Sequence, residues 1–289
     1  MIEQNRQIAR DISYAYSAQT RGGRAMIRAL ESLGGRKRLI KRAKGYEDEV
    51  AAGRDFWQVM VERYGVTADL VKGSLASIPR TGPLVLIANH PYGILDGLIM
   101  GHLLSQTRDD FRILANSVFT KSAELKRIVC PISFDDSLAA KRLNRKGLSD
   151  ALRFTKDGGA LGIFPSGTVA TSKTMFSEPA EPLWPETAAS IILATRATCI
   201  PVFFFGANSR AFQISSHLHG SLRLGMFVGE FRRKVGKPLP IVIGEPVLPD
   251  SIEIYRNDKN GLTRLLRRKT LELGGVSPDI VGRQYLRGV

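Results

Sequence analysis

Apolar positions along the chain follow two periods. Short, nearly continuous apolar runs occupy residues 84–89, 111–116, 128–134, 160–165, 199–205 and 239–244. Runs of that length between Gly, Pro, Asn or Asp predict buried strands. Apolar side chains recur at helical spacing over 138–156, 186–197 and 260–272, and "RDFWQVMVERY" (54–64) does the same ahead of the first run. Strands alternating with helices predict an α/β fold with a largely parallel central sheet flanked by helices. Pro179, Pro182 and Pro185 place residues 172–185 in a surface loop. No repeat or low-complexity tract interrupts the pattern. The expected division is a helical N-terminal region, residues 1–70, followed by one domain, 71–289.

A chain of 289 residues with 43% hydrophobic content can bury a sizeable core. No apolar run approaches the roughly 18–20 residues of a spanning helix. The opening "MIEQNRQIARDISYAYS" has no apolar stretch of the kind a secretory signal carries. Cys130 and Cys199 sit in strand-like runs and read as buried, reduced thiols.

Charge changes the picture. Lys and Arg number 42 against 27 Asp and Glu, a net +15, which implies an anionic partner without naming it. Residues 1–44 hold eleven of the bases and three of the acids. There Met26, Ile27, Leu30, Leu33, Leu39 and Ile40 form a stripe beside Arg36, Lys37, Arg38, Lys41, Arg42 and Lys44. Such a helix either lies in the interface of an anionic membrane or packs its apolar face on the core, and Gly34 and Gly35 break its period. A second cluster, Arg232–Lys234 with Lys237, suits phosphates of any origin. Zinc-finger spacing and RNA-recognition signatures are missing, so no nucleic-acid partner is expected.

The candidate chemistry lies in "LVLIANHPYGILDGLIMGHLL" (84–104). His90 follows the strand-like run, and Asp96 comes six positions later. A neutral imidazole can take a proton from an attacking hydroxyl, and a carboxylate on its other nitrogen fixes the tautomer. On a continuous helix the six-residue offset would point the two side chains about 120° apart, so only a turn can join them. Pro91 and Gly93 permit that turn. The alternative is a turn histidine beside an aspartate that caps the next helix. Ser166, Gly167 and Thr168 follow another strand-like run, where backbone N–H groups and hydroxyls can hold an anion or oxyanion. Asn208, Ser209 and Arg210 end a third, with Arg210 suited to a phosphate or carboxylate. His217 and His219 lack partners at metal-ligand spacing, so no metal is expected, and His102 reads as a packed or surface histidine. Neither a serine-hydrolase elbow nor a Walker A loop occurs.

"ANHPYGILDG" resembles the first motif of the glycerolipid and lysophospholipid acyltransferases, an N-H-x4-D block. Three further blocks resemble that family's and stand in its order: "FRILANSVFTKSAELKRIVCPISF", "GIFPSGTVATS" and "CIPVFFFGANSRAFQ". The resemblance runs over about residues 75–248. It is strongest to a bacterial branch that includes lyso-ornithine-lipid O-acyltransferases and proteins described as hemolysins. Two departures stand out. Five residues, not four, separate His90 from Asp96, as is frequent in that branch. Ser166 and Val169 stand where most members of the family carry Glu and Arg, the residues associated with a glycerol-phosphate acceptor.

The resemblance implies a glycerol-3-phosphate acyltransferase-like fold, with residues 71–289 as the acyltransferase domain. It implies His90 as general base and Asp96 as its orienting partner, with Asn89, Gly93, Ser166, Gly167, Thr168, Pro201, Asn208 and Arg210 lining the substrate site. The donor would be a thioester of acyl carrier protein or coenzyme A, the acceptor a lysolipid, and no resident cofactor would be needed. Working on lipid, the protein would sit peripherally on the cytoplasmic face of the inner membrane, docked on its anionic surface. An acyltransferase for a soluble acceptor and a non-catalytic basic protein remain the alternatives.

Overall fold

A computed structural model describes residues 13–18 and 20–284. The opening polar segment, whose lack of a secretory signal was an expectation, lies for the most part outside them. After a 3₁₀ turn (Tyr14–Ser17) come four α-helices: α1 (Arg21–Leu33), α2 (Arg36–Ala43), α3 (Tyr46–Ala51) and α4 (Phe56–Tyr64). Strands β1 (Thr67–Lys72) and β2 (Leu84–Ala88) follow, then α5 (Ile94–Ser105), β3 (Phe111–Asn116), α6 (Ala123–Ile128), β4 (Val129–Ile132), α7 (Leu138–Lys156) and β5 (Ala160–Ile163). A two-residue-per-strand hairpin, β6 (Thr171–Ser172) and β7 (Pro179–Ala180), leads to α8 (Thr187–Thr195) and β8 (Thr198–Phe204). The chain closes with α9 (Arg210–Leu218), α10 (Gly220–Lys234), β9 (Pro238–Ile243) and α11 (Lys259–Glu272).

The described strands, apart from β6 and β7, form one seven-stranded sheet in the order β1-β9-β8-β2-β5-β3-β4. From β8 to β4 every pairing is parallel; β9 runs antiparallel to β8, and β1 is parallel to β9. The α/β class with a mostly parallel sheet, expected from the hydrophobic pattern, is therefore the fold. Strand β2 lies between β5 and β8 and is buried along its whole length. Its side chains alternate, as a strand's must. Leu84, Leu86 and Ala88 join α4, α5 and α10 on one face, through residues such as Trp57, Ile99 and Phe231. Val85 and Ile87 join α7, α8 and α11 on the other, through Ala151, Ile191 and Leu262. Both cysteines are buried as free thiols in this second layer.

Two expectations change. Residues 1–70 are not helical throughout: β1 begins at Thr67 and pairs with β9, some 170 positions on, across the expected domain boundary. Its side chains are mostly exposed, so it lacks the apolar signature of the central strands. The stretch 172–185 is also not all surface, for Ala180, Glu181 and Trp184 are buried.

The N-terminal stripe divides. Gly35, at φ +91°, breaks the helix into α1 and α2. Ile27 is fully buried, Leu30 packs where Gly225 of α10 leaves room, and Gly34 lies against Gly229. Leu39 is buried and Ile40 packs against the core. Met26 and Leu33 face outward, Leu33 at 82% exposure. The bases at 37, 38, 41, 42 and 44 are exposed as well. Among the described residues no helix is long and apolar enough to cross a membrane.

Candidate active site

Three adjacent parallel strands, β5, β2 and β8, end side by side, and each is followed by one of the sequence blocks. Blocks that are 75 to 115 positions apart in the chain thus meet at the carboxyl edge of one sheet, where α/β folds place their ligands.

The turn after β2 is built around Asp96. Gly93 caps α5 at φ +98°, ψ −110°, a conformation that L side chains rarely adopt. A Cβ there would also stand 2.9 Å from the Phe227 ring of α10. This backbone puts Asp96 in the first turn of α5, fully buried, with its Oδ2 accepting the N–H groups of Tyr92 (2.8 Å) and Gly93 (2.9 Å). The same oxygen lies 2.8 Å from His90 Nδ1. The capping and the dyad are therefore one arrangement, not rival readings. With Asp96 Oδ2 as the acceptor, Nδ1 carries the imidazole proton and Nε2 is left with its lone pair. Phe164, the residue after β5, stacks on the imidazole at 4.3 Å and 22°. The His90 side chain keeps 17% exposure, enough for a reacting group to reach its edge.

The other expected residues divide into those the fold brings to this turn and those it engages elsewhere. Asn208 is buried and donates from Nδ2 to the Tyr92 carbonyl, 3.3 Å away. The Ser166–Thr168 turn is held to the turn after β2 through the Ala170 N–H, which donates to the His90 carbonyl at 2.8 Å. Within it the Gly167 N–H closes onto the Phe164 carbonyl (2.9 Å), and Ser166 Oγ lies 2.9 Å from the Thr168 carbonyl. That N–H is thus unavailable for the anion-holding role expected of it. Thr168 Oγ1 accepts from Arg223 of α10 at 3.0 Å and retains a hydroxyl proton to donate.

Asn89 is buried and bonds both ways with the Phe204 main chain, Nδ2 to O at 2.9 Å and N to Oδ1 at 2.7 Å. It extends the β2–β8 pairing and has its amide engaged there. Pro201 lies inside β8 opposite Ile87 and packs beside Gly244. Arg210 is exposed and ties α9 to the Ser177 carbonyl (2.7 Å) and Glu178 (3.1 Å). The second basic cluster turns partly inward: the Arg232 stem covers Gly35, and Lys234 lies 4.4 Å from the centre of the Tyr92 ring. His217 Nε2 lies 3.0 Å from the Ser172 carbonyl, whereas His219 caps α10. Among the described residues no group of His, Cys, Asp and Glu is placed to hold a metal.

One residue at the site was not anticipated. Glu181, in the stretch read as surface loop, is 4% exposed, and its Oε2 accepts the His90 main-chain N–H at 3.1 Å. Burial raises the pKa of this carboxyl. A tryptophan in a proline-rich stretch was the one sequence signal of burial there, for Trp184 donates its indole N–H to Glu181 Oε1 at 3.1 Å.

Residues 71–204 match the family model Acyltransferase. A curated relative, the lyso-glycine lipid O-acyltransferase of Phocaeicola vulgatus, is 23% identical over 204 residues, covering 68% of this chain and 69% of its own. Among solved structures, the 1-acyl-sn-glycerophosphate (LPA) acyltransferase PlsC of Thermotoga maritima aligns over 96% of this chain and 97% of its own. The alignment has a TM-score of 0.46 and 14% sequence identity.

Proposed function

We propose that this chain, whose residues 71–204 match the Acyltransferase family model, is a glycerolipid-type acyltransferase that moves a fatty acyl group from a thioester to the hydroxyl of a lysolipid, with His90 as general base. The observation that carries this reading is the 2.8 Å contact between His90 Nδ1 and buried Asp96, which leaves Nε2 at the accessible edge of the ring. Nε2 takes the hydroxyl proton as the lysolipid oxygen attacks the thioester carbonyl carbon. A C–O bond forms, and a tetrahedral oxyanion results. Collapse breaks the C–S bond, and the leaving thiolate takes the proton back from the imidazolium. Asp96 stabilises that cation and keeps the ring in place. The Thr168 hydroxyl is the donor we assign to the oxyanion.

The donor is acyl carrier protein or coenzyme A thioester. For the acceptor, Ser166 and Val169 argue against a glycerol phosphate. The lyso-glycine lipid enzyme among its relatives supports an amino-acid-headed lysolipid. We place the enzyme peripherally on the cytoplasmic face of the inner membrane, where thioester donors are made. The outward bases of α1 and α2, with Met26 and Leu33, would meet anionic lipid.

The test is thiol release by the purified protein from acyl carrier protein and coenzyme A thioesters. The acceptors are lyso-glycine lipid, lyso-ornithine lipid, lysophosphatidic acid and a soluble alcohol. Release dependent on an amino-acid-headed lysolipid is expected. A preference for lysophosphatidic acid would overturn the acceptor assignment, and turnover with the soluble alcohol alone would overturn the lipid one.

A further inference from the structure

His90 is held at two places by two carboxyl groups, and one of them has no part in proton transfer. Asp96 fixes the ring from within the same turn. Glu181 reaches in from 91 positions away and takes the main-chain N–H of the same residue at 3.1 Å. The turn after β5 joins the same residue from the other side, through the Ala170 N–H that donates to the His90 carbonyl at 2.8 Å. The other oxygen of Glu181 accepts from the Trp184 indole at 3.1 Å.

The anchorage of Glu181 is itself rigid. Arg267 of α11, 6% exposed, donates to the carbonyls of Glu181 (3.0 Å), Pro182 (3.1 Å), Pro278 (2.6 Å) and Ile280 (3.1 Å). The Gly282 N–H donates to the Glu181 carbonyl at 3.1 Å. The main chain that carries the carboxyl is therefore tied to α11 and to the C-terminal segment, on the far side of the sheet from α10. A loop needing only a filled hydrogen bond could use a neutral side chain, for a buried carboxyl is costly to desolvate. Here the carboxyl sits on the backbone of the catalytic histidine, whose displacement by an ångström costs orders of magnitude in rate.

We propose that Glu181 is the positioning residue of this active site, holding the main chain of His90 to the anchored Glu181–Trp184 segment so that Nε2 stands where the acceptor hydroxyl arrives. This rests on the reading of His90 as the base. Glu181 does not touch substrate, so its loss falls on kcat and leaves KM in place.

The experiment compares the full chain with Glu181→Ala, Glu181→Gln and Glu181→Asp, using an acyl-CoA donor and lyso-glycine lipid, with thermal unfolding as the check on folding. Glu181→Ala should lower kcat about 10–100-fold with KM for both substrates within about twofold. Glu181→Gln keeps an oxygen for the His90 N–H but turns its NH2 group on the Trp184 indole N–H, and should fall between Ala and wild type. Glu181→Asp keeps the carboxyl but withdraws it by one methylene, and should lower kcat with KM unchanged. It stands in if the alanine variant does not fold. Normal kcat in the folded Ala or Asp variant overturns the proposal. So does a loss carried by KM, or a Gln variant as slow as Ala.

The His90 amide resonance provides a readout that needs no turnover: it should move in Glu181→Ala and stay close to wild type in Glu181→Gln. An unmoved resonance in the alanine variant also overturns the proposal. If wild type and His90→Ala release thiol equally, the base reading fails, and the resonance still decides whether Glu181 holds His90.

Discussion

The turn after β2 and the helix α1 pack against the same helix, α10, and they were assembled by opposite rules. In the turn, Gly93 leaves room for Phe227, Tyr92 lies under Lys234, and the polar partners of Asp96 are His90, Tyr92 and Gly93. All of those hydrogen bonds join residues at most six positions apart. In α1 the partners are remote: Ile27 and Leu30 are covered from α10, about 200 positions away, while Leu33 on the same stripe faces outward. Local hydrogen-bond chemistry can be read from spacing. The far partner of an amphipathic face cannot, because membrane and core reward the same pattern.

Substitutions at the two places should separate these rules. Asp96→Asn should lower kcat about 10²–10⁴-fold, the range of general-base catalysis, in a protein that still folds. Single-turnover acyl transfer measures it, and a loss below tenfold would show that the carboxylate is a helix cap and little else. In α1, Ile27→Ala should destabilise the fold by about 2–5 kcal/mol, whereas Leu33→Ala should stay within about 0.5 kcal/mol. Equal denaturation midpoints for the two would return α1 to a loosely attached helix.

Gly93→Ala carries a smaller but double effect. The positive φ and the approach to Phe227 together should cost about 1–3 kcal/mol, with kcat reduced because Asp96 loses its N-terminal geometry. Unchanged stability would contradict the positive-φ turn. The smallest effect on the fold belongs to the outward bases. Replacing Arg38 and Lys41 by Glu should leave stability within about 0.5 kcal/mol. The same change should weaken co-sedimentation with anionic vesicles at low salt, since each base near such a surface contributes about 1 kcal/mol. Undiminished vesicle binding would move the docking surface away from α2.

The same contrast explains what the sequence disclosed of the fold. The run Leu84–Ala88 is buried on both faces and reads as a strand unaided, as does the helical period that became α7. Strand β1 is an exposed edge whose one strand partner among the described residues, β9, lies far along the chain, so "TADLVK" carries no strand signature of its own. At the site, His90 and Asp96 were legible because six residues and a glycine determine their geometry. The tie that Asn89 makes was hidden for the converse reason: β8 brings the Phe204 main chain to its amide from 115 positions along the chain. Glu181 was hidden by both effects, being remote from His90 and embedded in a proline-rich stretch that reads as surface.

The central claim is that the Nε2 edge of His90 removes the acceptor proton. Its most direct test is acyl transfer by purified His90→Ala with an acyl thioester and lyso-glycine lipid, beside a thermal unfolding curve. A folded variant whose turnover falls by at least about 10²-fold is the predicted result. A folded variant transferring acyl groups at close to the wild-type rate would contradict the account.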